Sequence, residues 1–195
     1  MPEDARALVA DLAVSAPRAA ARGYRLAPAG RRFARAGAKL YGDDNNYAWA
    51  RPPPPALLAP GALALVGAFE DRHAVAACAV FCRLTLGGAA SVHVAMDARQ
   101  KRPPDWLADG GFARDAVTGS LRAEKKTLFI REPREFHVYS RAAAAGETLD
   151  LGPSGALDGL PGRDALPYVL FVVPRAAADA GGGGGGGGGL SLIHI

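Results

Sequence analysis

Apolar residues alternate with other residues along the second half of the chain, and this two-residue period restricts the fold more than any other feature. Residues 74–86 would place Cys78 and Cys82 on one strongly apolar face, because neighbouring side chains of a strand point to opposite faces. Residues 91–97 repeat the pattern, and residues 168–173 are apolar on both faces, as in a strand covered from two sides. The alternation therefore predicts a protein built on β-strands.

Shorter segments complete the predicted sheets. Further strand candidates lie at residues 22–27, 37–41, 47–51, 128–130 and 135–140. We expect the pair Glu132-Pro133 to separate the last two of these strands. Residues 3–16 fit either a helix, by their Ala and Leu content, or a strand over residues 8–15. Gly and Pro between the segments give the turn spacing of an all-β, antiparallel β-sandwich, with one domain over residues 5–174.

Composition agrees with a globular chain. Of 195 residues, 49% are hydrophobic and 22% charged, which excludes an intrinsically disordered protein. The apolar stretch 56–69 is interrupted by Pro60 and Gly67 and is shorter than the ~20 residues that span a bilayer, so we expect no membrane span. No secretory signal is visible, which places the protein in the cytoplasm by default unless its N-terminus is incomplete.

The C-terminal segment has a different character. Nine consecutive glycines occupy residues 181–189, and a run without side chains has nothing to bury. The final hexapeptide LSLIHI resembles the translation of a sequencing adapter. We therefore expect residues 175–195 to be a disordered tail and a sequence artefact, and the natural chain to continue differently after residue 174.

Three motifs follow one another in a fixed order. They are Val-His-Val-Ala-Met-Asp-Ala-Arg at residues 92–99, Pro-Asp-Trp-Leu at 104–107 and Ala-Gly-Glu-Thr-Leu-Asp-Leu-Gly at 145–152. This series resembles an accessory β-sandwich domain of the galactose-binding type, found in bacterial secreted proteins and in protist proteins. The resemblance implies a jelly-roll-like sandwich and a carbohydrate-binding role. The chain departs from the family at Pro153-Ser154, where relatives carry Gly-Asn.

Candidate ligand contacts are Asp97, Arg99 and Trp106. A carboxylate and a guanidinium at the end of a strand can hydrogen-bond a polar ligand, but they can equally form a structural ion pair. An exposed Trp ring can stack on a sugar, but a ring between Pro104 and Leu107 can equally close one end of the sandwich. We favour the structural interpretation of all three and keep them as tentative ligand-binding residues.

Other chemistry is weakly supported. Cys78 and Cys82 would stand about 13 Å apart on one strand, too far for a disulfide or a shared metal with His73 or His93, so we expect buried free thiols and neither metal nor cofactor. We find no catalytic set, since no nucleophile elbow and no pair of carboxylates on one strand face is present.

The segment from Arg18 to Lys39 holds seven basic residues and no acidic one. This cluster permits nucleic-acid binding, but the Arg-biased composition explains it more simply, so we do not expect a nucleic-acid partner. We predict a non-enzymatic recognition module, an accessory domain that binds a glycan or a similar ligand. The alternative is a structural or protein–protein interaction module of a larger chain, in which case the partner is a protein.

Overall fold

The structure is a computed structural model that describes residues 7–15, 24–42, 47–69, 79–116, 118, 120–126, 131–155 and 166–175. The predicted strand at 128–130 and the tail from residue 176 onward lie outside the described residues. Eleven strands lie within these ranges: β1 (Val9–Val14), β2 (Arg25–Pro28), β3 (Tyr47–Trp49), β4 (Leu63–Val66), β5 (Cys82–Leu86), β6 (Ala90–Asp97), β7 (Ala113–Arg114), β8 (Ser120–Lys126), β9 (Arg131–Ala143), β10 (Thr148–Leu151) and β11 (Val169–Pro174).

The strands form two sheets in which every pairing is antiparallel. The small sheet has the order β1-β5-β10. The large sheet has the order β2-β4-β11-β6-β9-β8-β3, and β7 pairs with β9 beside this path. The predicted all-β, antiparallel fold class is confirmed.

The main core lies between the two sheets. On β5, Cys82, Leu84 and Leu86 are buried while Arg83 is exposed, as the alternation predicts. The facing residues of the large sheet include Val92, Val94, Met96, Leu170 and Val172. Each such buried side chain stabilises the fold by about 1.5–3 kcal/mol relative to its exposed state, so this alternation fixes which face of each strand points inward.

A second core covers the opposite face of the large sheet. A short helix, α1 (Ala29–Phe33), and a 3₁₀ turn (Pro55–Leu58) pack there beside β3. The Phe33 ring makes edge-to-face contacts with Trp49 and Phe171, at centroid distances of 5.8 and 5.9 Å. The central strand β11 is therefore buried on both faces, which confirms the interpretation of its unbroken apolar run.

Three local predictions differ from the structure or are decided by it. The strand predicted over residues 74–86 begins only at Cys82, and residues 70–78 lie outside the described residues. The predicted break at Glu132-Pro133 is wrong, because Pro133 lies inside β9 opposite Glu124. Here β9 extends beyond the end of β6 and pairs with β8 alone, a position where a missing N–H is tolerated. The strand alternative for residues 8–15 is right, as β1.

A second helix, α2 (Asp105–Asp109), lies between β6 and β7, where the sequence predicts no strand. Pro104 precedes its first residue, where the fixed φ of proline suits a helix start. Gly110 ends it, and the Gly110 N–H donates to the Trp106 carbonyl oxygen at 2.9 Å. This one-turn helix sets the position of the Trp106 side chain.

Candidate functional site

Asp97 and Arg99 form an ion pair at the end of β6. Arg99 Nε donates to Asp97 Oδ1 at 2.9 Å and Arg99 Nη2 donates to Oδ2 at 2.5 Å. Asp97 is 1% exposed, and its Oδ2 also accepts the Leu166 N–H at 3.1 Å. Burial by itself raises the pKa of the Asp97 carboxyl, but the bonds from Arg99 and Leu166 outweigh it and the pKa lies below the usual value. Every one of these bonds is internal to the protein.

Trp106 packs against one end of the core between the sheets. Its ring lies 5.8 Å from the Tyr168 ring and 6.1 Å from Phe112, edge to face in the second case. The indole Nε1–H donates to the Pro153 carbonyl oxygen at 2.9 Å. The side chain is partly buried. Its polar atom is thus engaged by the protein itself.

The three sequence-predicted residues do not converge on one site. Asp97 is paired with Phe136, and Leu166, which bonds it, belongs with Phe136 to the second core. Trp106 packs on the first core, across the large sheet. The Asp97–Arg99 pair therefore lies on one face of the large sheet and Trp106 on the other. A single ligand that contacts the pair and Trp106 would have to pass around the end of the sheet.

The segment Pro153-Ser154 is held by internal bonds. The Ser154 hydroxyl accepts the Tyr168 N–H at 3.0 Å, and the Gln100 amide donates to the Ser154 carbonyl oxygen. Both Ser154 and Gln100 are buried. Residues 153 and 154 thus tie the chain beside α2 to the start of β11.

A groove on the side of the second core has a volume of about 840 Å³. We call it the proline groove, since the extended run Pro52–Pro54 and the following Pro55 form one wall. Residues of β8 and Thr118 also line it. Its lining residues are Ala34, Trp49, Arg51, Pro52, Pro53, Pro54, Pro55, Leu58, Ala59, Pro60, Thr118, Ser120, Leu121 and Arg122.

Two buried polar atoms in the lining of the proline groove have no hydrogen-bond partner within the protein. They are Trp49 Nε1, a donor, and Thr118 Oγ1, which can donate and accept. Trp49 is 1% exposed and Thr118 is 6% exposed. Arg51 and Arg122, both exposed, add positive charge to the same lining. The groove therefore combines apolar walls with a few polar groups, as small-molecule sites do.

Sequence reasoning missed this groove. The run Arg51-Pro52-Pro53-Pro54-Pro55 signals an extended wall. Nothing in this run indicates that β8, about 70 positions later, lines the same groove.

Among the described residues, no three His, Cys, Asp or Glu side chains lie close enough together to bind a metal ion. His93 Nδ1 lies 3.3 Å from Asp115 Oδ2, without a well-aligned hydrogen bond. Cys82 is a buried free thiol, whereas Cys78 lies outside the described residues. None of the described helices is long and apolar enough to cross a membrane.

Comparison with known proteins supports the architecture. No protein-family model and no curated protein sequence matches the chain significantly. A solved structure of a β-glucuronidase from glycoside hydrolase family 2 has a similar fold, with a TM-score of 0.60 over 85% of this chain and 14% sequence identity. The chain spans 14% of the length of that enzyme. At this identity the likeness shows a shared β-sandwich-like fold and nothing of function.

Proposed function

We propose that this chain is a non-catalytic recognition module that binds carbohydrate in the proline groove. Its sandwich fold resembles one segment of an enzyme named as a β-glucuronidase, and the segment is a small part of that enzyme. Accessory sandwiches of this kind fit a role in holding a glycan rather than in cleaving it. The fold likeness is compatible with this class of function, and the groove is its proposed location.

The unpartnered polar atoms of Trp49 and Thr118 carry the proposal. A buried polar atom without a partner costs about 1–3 kcal/mol, so native proteins rarely keep such atoms. Trp49 and Thr118 both line the same groove, and the two atoms lie just beneath its surface. The hydroxyl groups of a sugar both donate and accept hydrogen bonds, so a sugar in the groove can partner the indole N–H and the threonine hydroxyl once a small side-chain movement exposes them.

The size and walls of the groove are consistent with this ligand. Its volume of about 840 Å³ falls within the range of roughly 300–1,000 Å³ that is typical of ligand sites. The proline wall is stiff, because each ring fixes its own φ angle. A stiff wall loses little entropy when a ligand binds.

The test is a glycan array probed with the full chain and with Thr118→Val, which keeps the side-chain shape but removes the hydroxyl. Thr148→Val, on an exposed site of the small sheet, is the matched control. We expect the wild type to bind a defined set of glycans. We expect Thr118→Val to bind them several-fold more weakly, as the loss of one hydrogen bond implies, and the control to be unchanged.

Absence of binding to any glycan, or equal binding by Thr118→Val, would contradict the proposal. The non-catalytic part has its own readout. After prolonged incubation, the bound glycans should show no new reducing ends, and their appearance would identify an enzyme instead.

A further inference from the structure

A second concavity of about 520 Å³ lies next to the proline groove. Its lining combines the first residue of β2, the last turn of α1 and the loop that follows. We call it the basic pocket, because it gathers five cations: Arg25, Arg31, Arg32, Arg35 and Lys39. The sequence shows these residues only as part of a longer basic segment, and the fold brings them to one place.

The basic pocket holds more positive charge than the whole chain has as its net charge. The whole chain has a net charge of +4, which the five cations alone exceed, so the remainder is slightly acidic. None of the described lining residues is acidic. The sequence continues from Gly42 to Asp43 and Asp44, which lie outside the described residues.

Arg32 is the innermost of these cations. Its Nη2 donates to the carbonyl oxygens of Lys39 and Tyr41, at 3.3 and 3.2 Å, and its Nε is buried without a partner. Burial, followed by repulsion from Arg25, lowers the pKa of the Arg32 guanidinium. The fold thus holds like charges close together in a partly desolvated place, and a bound anion would relieve that repulsion.

The proline groove and the basic pocket meet at Ala34, which lines both. An extended ligand that lies across Ala34 would therefore reach both concavities. Arg51 and Arg122 in the groove continue the positive charge away from the pocket.

We propose that the basic pocket binds the carboxylate or sulfate groups of an acidic oligosaccharide whose adjoining sugar units lie in the proline groove. This inference rests on the proposed carbohydrate-binding function and adds the ligand class. Guanidinium groups suit it, because they bind carboxylate and sulfate oxygens through paired hydrogen bonds.

The observations favour an acidic glycan over a nucleic acid. A nucleic-acid surface carries positive charge along an extended track and offers aromatic rings for base stacking. Here five of the seven cations of the two linings lie in one pocket, and the two aromatic residues of the linings, Trp49 and Tyr41, are 1% and 2% exposed. Such buried rings present no face on which a base could stack.

The experiment is titration calorimetry of the full chain with four probes. They are a tetramer of galacturonic acid, the same tetramer fully methyl-esterified, a heparin-derived tetrasaccharide and a single-stranded oligodeoxynucleotide. The ester keeps the sugar backbone but carries no charge. We expect at least one acidic tetrasaccharide to bind tenfold or more tightly than the ester, and the affinity to fall as salt is raised.

The variant Arg31→Gln/Arg35→Gln should lose about tenfold or more in affinity for that acidic tetrasaccharide, as expected when charge-assisted hydrogen bonds are removed. Arg114→Gln, an exposed cation on β7, is the matched control and should bind as the wild type does. If the galacturonate tetramer and its ester bound equally well and the heparin tetrasaccharide bound no more tightly, the pocket would not recognise negative charge. The proposed carbohydrate binding would still stand. The proposal would also be overturned if neither acidic tetrasaccharide bound. It would equally be overturned if the oligonucleotide bound more tightly than they do and its binding depended on Arg31 and Arg35.

Discussion

The indole ring of Trp106 fills the space that any side chain at residue 152 would occupy. A Cβ atom built on Gly152 would lie 2.4 Å from Trp106 Cδ1 and 2.8 Å from Trp106 Nε1, closer than real contacts allow. Gly152 is therefore required by the ring packed on it, although its own backbone conformation is ordinary. The Leu151-Gly152 segment and the Pro104–Leu107 segment thus meet in one contact.

We predict that Gly152→Ala lowers the free energy of unfolding by about 1–3 kcal/mol, because the ring must shift from its packed position. Urea denaturation measures this cost. The same substitution in a Trp106→Ala background should cost much less, since the clashing ring is gone. An equal cost in the two backgrounds would show that the contact is not the cause.

Trp106→Ala alone is expected to destabilise the protein by about 3–5 kcal/mol, as large-to-small changes of core aromatics do. The ring contacts Tyr168 and Phe112, so its removal leaves a cavity at the end of the first core. Thermal unfolding is the measurement. A near-wild-type melting temperature would instead move Trp106 to the front of the ligand contacts.

Asp97→Asn should cost about 2–4 kcal/mol, because it removes a buried carboxylate that pairs with the partly exposed Arg99 and weakens the bond from the Leu166 N–H. The exposed pair of Arg83 and Asp150 is the control, and Asp150→Asn should change stability little. Unfolding in urea compares the two. If both variants behaved alike, burial would not be what gives the Asp97 pair its importance.

Acid should destabilise the protein in part through His93. Burial lowers the pKa of this histidine, and the nearby Asp115 carboxylate opposes that shift without cancelling it. The unfolded state then binds protons more readily, so stability is lost as the pH falls below about 6.5 toward the lower folded pKa. His93→Gln should reduce the slope of stability against pH between about 7 and 5. Part of the slope should remain in this variant, because burial and Arg114 also lower the pKa of His137. A slope equal to that of the wild type would contradict the role of His93.

The Cys82 thiol should resist alkylation in the folded protein. Burial, followed by the negative charge of Asp150, raises its pKa to about 12, so almost no reactive thiolate exists at neutral pH. Iodoacetamide followed by peptide mapping should leave Cys82 unlabelled until denaturant is added. Rapid native labelling would mean that β5 opens readily or is wrongly placed.

Much of the fold could be predicted from the sequence, because burial on one or both faces of a strand leaves a period in the chain. The exposure of Arg83 between Cys82 and Leu84 and the two buried faces of β11 follow from that period alone. The position of Pro133 could not be predicted, since proline is excluded from a strand only where a neighbour needs its N–H. That depends on where β6 ends.

The candidate sites were less accessible to sequence reasoning. Asp97 and Arg99 were correctly seen as a pair, but their separation from Trp106 is set by sheet faces that local sequence does not reveal. The proline groove and the basic pocket each join segments that are distant or irregular. Irregular segments carry no period, so their meeting depends on the tertiary fold.

The small sheet has a kinetic consequence. Side chains of β5 and β10 bond each other over long sequence separations: Arg83 bonds Asp150, 67 positions away, and Thr85 bonds Thr148, 63 positions away. The sequence separation between β1 and β5 is similar. By contrast, β8 and β9 are adjacent in sequence and pair along their length. Closing long loops costs entropy before any contact compensates for it, and proteins rich in such contacts fold in milliseconds to seconds. The β8–β9 hairpin is thus placed to form early, and the small sheet to close over the first core last, which leaves that apolar face uncovered during much of the folding reaction.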